Sequence, residues 1–184
     1  MSKSKFSNRI LSRLVNIDIE VRSKKWLEIK NIEKFIESQA KKLLENSPLE
    51  EFLKQKIHFD LSISLCSNLQ IKKINREFRK NDKPTNVLSF GNLDEKIIQK
   101  HGLEKAIGNN KYIFLGDIIL SYEYILNEAE SHKKNLKDHL THLILHGILH
   151  ILGHDHEKEK MAKIMENLEI KILKKFNINN PYNQ

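Results

Sequence analysis

Apolar and polar positions along the chain fall into alternating runs and helical ones. Val15-Asn-Ile-Asp-Ile-Glu-Val21 alternates strictly and reads as a half-buried strand. From Trp26 to Glu45, Leu27, Ile32, Phe35, Ile36, Ala40, Leu43 and Leu44 recur at helical spacing, and Ser47-Pro48 ends the run. Ile57 to Leu65 alternates again as a second strand, with His58 and Asp60 a pair on its solvent side. Leu69, Ile71, Ile74 and Phe78 predict an amphipathic helix that runs into the basic turn Arg79-Lys80-Asn81-Asp82-Lys83-Pro84. Thr85 to Phe90 follows as a short strand. Residues 91–112 lose their period, and with Gly102 and Gly108-Asn109-Asn110 as punctuation they read as a loop with one helical turn.

Phe114 to Leu120 is a nearly continuous apolar strand, interrupted at Gly116-Asp117. Ser121 caps a helix to about Lys133. A second helix, His139 to Leu152, carries Leu140, Leu143, Ile144, Ile148, Leu149 and Ile151 on its apolar face. Lys158 to Phe176 closes the chain, with Met161, Ile164, Met165, Leu168, Ile172 and Leu173 inward and its charges on a solvated face. No repeat or linker divides the 184 residues. The expectation is one α+β domain over residues 1–184, a mixed sheet of about four strands packed with about five helices, and a flexible lead-in over residues 1–12.

The chemistry concentrates in His146-Gly-Ile-Leu-His150-Ile-Leu-Gly153-His154-Asp155-His156. Two histidines four apart project from one helix face, about 6 Å apart along the axis, and reach a single ion. Gly153 ends the helix and lets the chain turn back, so that His156 returns as a third ligand. Three imidazoles with an open fourth position describe a catalytic rather than a structural zinc site, and one Zn²⁺ is expected. The pattern H-x3-H-x5-H is that of metzincin peptidases, H-E-x-x-H-x-x-G-x-x-H. Gly147 stands where such a peptidase carries its glutamate base, which argues against peptide hydrolysis. Histidine is frequent here, nine in all and seven of them between His132 and His156. His139 and His142 are read as lining or supporting groups, because no turn brings them a third ligand. Asp155 is either a helix-end cap or a catalytic helper. Cys66, the one cysteine, excludes internal disulfides and zinc–cysteine clusters and is read as a small core or strand-end residue.

Net charge and targeting signals narrow the substrate and the compartment. Thirty-two Lys and Arg against 24 Asp and Glu give +8. Beside a hydrolytic metal centre, that charge moves the expected substrate from peptide toward nucleic acid. No apolar run approaches the ~18 residues of a membrane span, and residues 1–12 lack the apolar region of a secretory signal. A reducing cytoplasm fits these features.

Three segments in order give the chain a family resemblance. Asn75-Arg-Glu-Phe-Arg79 with Asp82-Lys-Pro84-Thr85-Asn86-Val87-Leu88-Ser89-Phe90 is the first, Leu115-Gly116-Asp117-Ile118 the second and His142 to His156 the third. Together they resemble the YbeY family of bacterial endoribonucleases, also called rRNA maturation factors. Ile151 for the usual Leu and His154 where Tyr is common are the departures. The resemblance implies a zinc-dependent, single-strand-specific endoribonuclease that matures the 3′ end of small-subunit rRNA and serves ribosome quality control. Its implied partners are rRNA and the small ribosomal subunit, and it gives Arg79 a catalytic role in the groove. A planar guanidinium suits that role, since it binds two non-bridging phosphate oxygens at once. The general base stays open among metal-bound hydroxide, Asp155 and the substrate's 2′-hydroxyl. Thr85, Asn86 and Ser89 are read as turn and strand-cap residues. A metzincin-like peptidase and a ribosome-assembly factor with a structural metal are the alternatives.

Overall fold

The computed structural model describes residues 13–155 and 159–183. The expected lead-in over residues 1–12 and the expected third ligand, His156, lie outside the described residues. Strand β1 (Val15–Val21) is followed by a 3-10 turn (Lys24–Glu28), α1 (Ile32–Glu45) and α2 (Glu50–Lys54). Then come β2 (His58–Cys66), α3 (Asn68–Arg79), β3 (Val87–Gly91) and α4 (Glu95–Ile107). Strand β4 (Tyr112–Ser121) leads into α5 (Tyr122–Ser131), α6 (Leu136–Ile151) and α7 (Glu159–Lys174).

The four strands form one mixed sheet in the order β1-β2-β4-β3, with β1, β2 and β4 parallel and β3 antiparallel to β4. Its parallel strands are apolar on their core-facing positions, as a sheet covered by helices requires. Helix α6 is apolar on nearly every side because it is enclosed by the sheet, α1, α5 and α7. Each fully buried Leu or Ile there contributes about 1.5–3 kcal/mol of transfer free energy.

The expected strands are present, each end within two residues of its expected place. Glycine does not break β4; the strand continues through a register shift at Leu115, which has no partner between Asp60↔Phe114 and Leu61↔Gly116. Gly116 has φ 142°, and a Cβ there would lie 2.0 Å from the Phe90 carbonyl oxygen, so this position accepts no side chain beside β3.

Helices depart more from the expected pattern, since the described residues hold seven α-helices rather than about five. The long helix expected from Trp26 is two pieces, divided at Asn31, whose φ of 58° is left-handed. Residues 95–107 are helical where a loop was expected; Asp94 caps them by accepting from the Ile97 N–H, and Gly102 at φ 82° kinks them. That kink resets the phase of the apolar residues and erases their period. Met161 and Ile164, expected inward on α7, are exposed at 38% and 46%, and Leu69 and Phe78 on α3 are exposed at 65% and 62%.

Candidate active site

A groove of about 950 Å³ runs between the edge strand β3 and the C-terminal half of α6. Arg79, Asn86, Phe90, His146, His150 and Asp155 are among the residues that line it. The sheet holds this wall in register: at Gly91 an added Cβ would stand 3.3 Å from the Ile151 carbonyl oxygen, so β3 and the end of α6 nearly touch.

His146 and His150 occupy successive turns of α6, and their Nε2 atoms face each other at 3.1 Å. Two nitrogens bound to one tetrahedral zinc ion stand about 3.3 Å apart, given Zn–N bonds of ~2.0–2.1 Å. The pair therefore already has the spacing of two ligands on one ion. Helix α6 ends as expected at Gly153 (φ 84°), where a Cβ would meet Ile98 Cγ2 at 2.6 Å. His154 and Asp155 follow, and Asp155 lines the groove. Burial lowers the pKa of His154, opposed by the charge of Glu169, so its ring favours the neutral form.

Gly147 has a packing role. An added Cβ would stand 3.0 Å from Ile118 Cδ1, so the residue after the first histidine is pressed against β4. A glutamate there would meet the core, away from the groove. The absent peptidase base is thus a consequence of how α6 sits on the sheet.

The other nitrogen of His146 is engaged from α7. Glu169, with no exposed surface, accepts from His146 Nδ1 at 2.9 Å and lies 3.4 Å from His142 Nε2. Tyr182 donates its hydroxyl to the same carboxylate. Burial drives the Glu169 pKa up, but the hydrogen bonds from His142 and His146 prevail and hold it down at about 2. His142, His146 and Glu169 form a cluster with ligand atoms within 4.8 Å of one another, a donor set able to hold a cation. Reading α7 as apolar inside and charged outside missed Glu169. The available signal was its position four residues after Met165 and three before Ile172, on the buried stripe itself.

His139 turns elsewhere. Its Nε2 meets Glu128 at 2.9 Å, and Glu128 also accepts from Asn86 Nδ2 at 3.0 Å. Asn86 Oδ1 in turn accepts from the Val87 N–H at 2.7 Å, which is the strand-cap duty expected of it. Burial raises the pKa of Glu128, but the bonds from His139 and Asn86 outweigh it, and the carboxyl is lowered below its ordinary 4.5.

Arg79 stands at the end of α3 on the groove wall. Its Nη2 donates to the Ser89 carbonyl at 3.1 Å, and its guanidinium lies 5.7 Å from the centre of the Phe90 ring. The turn that follows is tied down by Asn75, whose Nδ2 donates to the Lys83 carbonyl at 2.8 Å, and by Asp82, which faces Lys72 and Arg76. The motif Asn75…Arg79…Asp82 is therefore a scaffold that presents one arginine. Cys66 is buried at the end of β2, and its carbonyl accepts from Trp26 Nε1.

Comparison with known proteins gives the chain its relatives. A family model described as Endoribonuclease YbeY matches residues 18–177. The protein named Endoribonuclease YbeY of Francisella tularensis subspecies novicida is 42% identical over 125 residues, 68% of this chain and 72% of that one. Its counterpart in subspecies tularensis is 42% identical over 68% of this chain and 70% of its own. Among solved structures, the solution structure of TM1509 from Thermotoga maritima superposes with a TM-score of 0.50 at 22% identity, covering 91% of this chain and 99% of that one. That likeness speaks to the fold alone.

Proposed function

We propose, from the premise that this chain belongs to the YbeY endoribonuclease family, that it is a zinc-dependent endoribonuclease that cuts single-stranded RNA. Its role on this reading is maturation of the small-subunit rRNA 3′ end and ribosome quality control in the cytoplasm, in association with the small ribosomal subunit. The observation that carries it is the facing pair of Nε2 atoms of His146 and His150 at 3.1 Å, opening on a groove whose wall presents Arg79. His146, His150 and, on the sequence spacing, His156 would hold the ion. Bound there, zinc supplies Lewis acidity toward a phosphoryl oxygen and lowers the pKa of water.

The chain's own residues do the rest. Arg79 keeps one N–H on the Ser89 carbonyl, which holds its planar fork at the groove wall. The remaining guanidinium N–H groups can then donate to the two non-bridging oxygens of a phosphodiester, whose negative charge grows in the transition state. Phe90 beneath it restricts the side chain to that orientation. Asp155, at the groove's metal end, is a candidate to take a proton from the attacking hydroxyl. Peptide hydrolysis is disfavoured because position 147 faces Ile118 and offers no base to the groove.

The test in cells is mapping of rRNA 3′ ends where Arg79→Ala is the sole copy, with folding and metal content of the purified variant checked alongside. Unprocessed precursor with a folded, metal-loaded variant supports the nuclease. Normally processed ends would favour an assembly factor. The ends made in vitro then separate two attacks: a 2′,3′-cyclic phosphate means the substrate's 2′-hydroxyl, and a 3′-hydroxyl with 5′-phosphate means water.

A further inference from the structure

Glu169 is a carboxylate with no exposed surface, and burying such a group is costly unless its oxygens are satisfied. Its partners account for its position. His146 Nδ1 is 2.9 Å from Oε1, His142 Nε2 is 3.4 Å from Oε2, and Tyr182 donates to Oε2 from beyond the end of α7. A carboxylate only accepts, so its contact with Nδ1 places the His146 ring proton there and leaves the lone pair on Nε2, the atom that faces His150.

We propose that Glu169 is a positioning residue for the metal centre, fixing the tautomer and ring plane of His146, and that Tyr182 positions Glu169 in turn. The proposal rests on the reading that His146 and His150 hold the ion. It makes the segment after α7 part of the site. That segment is anchored twice more, by Lys134 Nζ on the Pro181 carbonyl at 3.1 Å and by the Tyr182 ring against His142 at 5.7 Å. Glu169 is assigned as an orienting group rather than a ligand for two reasons. It meets the nitrogen of His146 that points away from His150, and it is fully buried and not among the residues lining the groove that His146 and His150 open onto.

The experiment is zinc affinity by competition with a chromophoric chelator, using the full chain, together with the visible spectrum of the cobalt(II) form and unfolding of the metal-free protein. Glu169→Gln is expected to weaken zinc binding about 10- to 100-fold. Tyr182→Phe should weaken it by roughly threefold to tenfold, as loss of one supporting hydrogen bond implies. Both should keep the wild-type cobalt spectrum, because the ligand set is unchanged. Wild-type zinc affinity in either folded variant overturns the proposal. So does a changed cobalt spectrum in Glu169→Gln shared by His142→Ala, which would make Glu169 and His142 ligands. If Glu169→Gln does not fold, Tyr182→Phe alone decides, since its ring contacts remain. His150→Ala is the control for the underlying reading: wild-type zinc binding there refutes the metal assignment itself, whereas lost binding there with unaffected Glu169→Gln and Tyr182→Phe refutes only the positioning role.

Discussion

Gly147 shows how one residue decides between chemistries. Its Cα is close enough to β4 that a methyl group would stand 3.0 Å from Ile118 Cδ1 and 3.2 Å from Cγ1. Gly147→Ala is expected to cost about 1–3 kcal/mol through overpacking, read as a lower urea midpoint with an unchanged slope. A wild-type midpoint would mean that α6 does not press on the sheet there. Gly147→Glu, which restores the peptidase motif in writing, should destabilise further and gain no peptidase activity.

At the scale of elements, one network joins β3, α5 and α6: Asn86 and His139 both bond Glu128. The Glu128 carboxyl titrates below its ordinary 4.5 in the folded chain. Its stabilisation is therefore complete above about pH 4.5 and is lost as pH falls through the lowered native value. Glu128→Gln is expected to be less stable at neutral pH and to show a flatter loss of stability as pH falls below about 4.5. An acid limb as steep as that of wild type would remove Glu128 from the account.

These same elements show what was legible in the sequence. Alternation identified β1 and β2 because a half-buried strand writes burial with period two. The facing of His146 and His150 was legible because four residues on a helix is a fixed geometry. Helix α4 was not, since the kink at Gly102 divides its apolar residues into two short stretches that share no phase. Glu169 was not, because its partner His146 is 23 residues away and only packing of α7 on α6 joins them. His156, the third expected ligand, lies outside the described residues.

On the scale of the whole molecule, the chain carries +8, and its groove wall bears Arg79 and Lys83. Binding to RNA is expected to weaken as salt rises, with log K linear in log salt at a slope of about −0.7 per neutralised phosphate on a single strand. Arg79→Ala should reduce that slope by roughly one phosphate contact, measured with a catalytically silent, metal-free protein. An unchanged slope would place Arg79 off the RNA path. No helix of the described residues is long and apolar enough to cross a membrane.

The central claim is that the His146–His150 centre and Arg79 act together on RNA. It is tested most directly by following cleavage of a single-stranded oligoribonucleotide by the purified full chain, stripped of metal and then reloaded with zinc, beside Arg79→Ala at equal metal content. The account predicts that cleavage disappears with the metal, returns with zinc and falls about 10²- to 10³-fold in Arg79→Ala. Cleavage that survives stripping, or an Arg79→Ala rate equal to wild type, would contradict it.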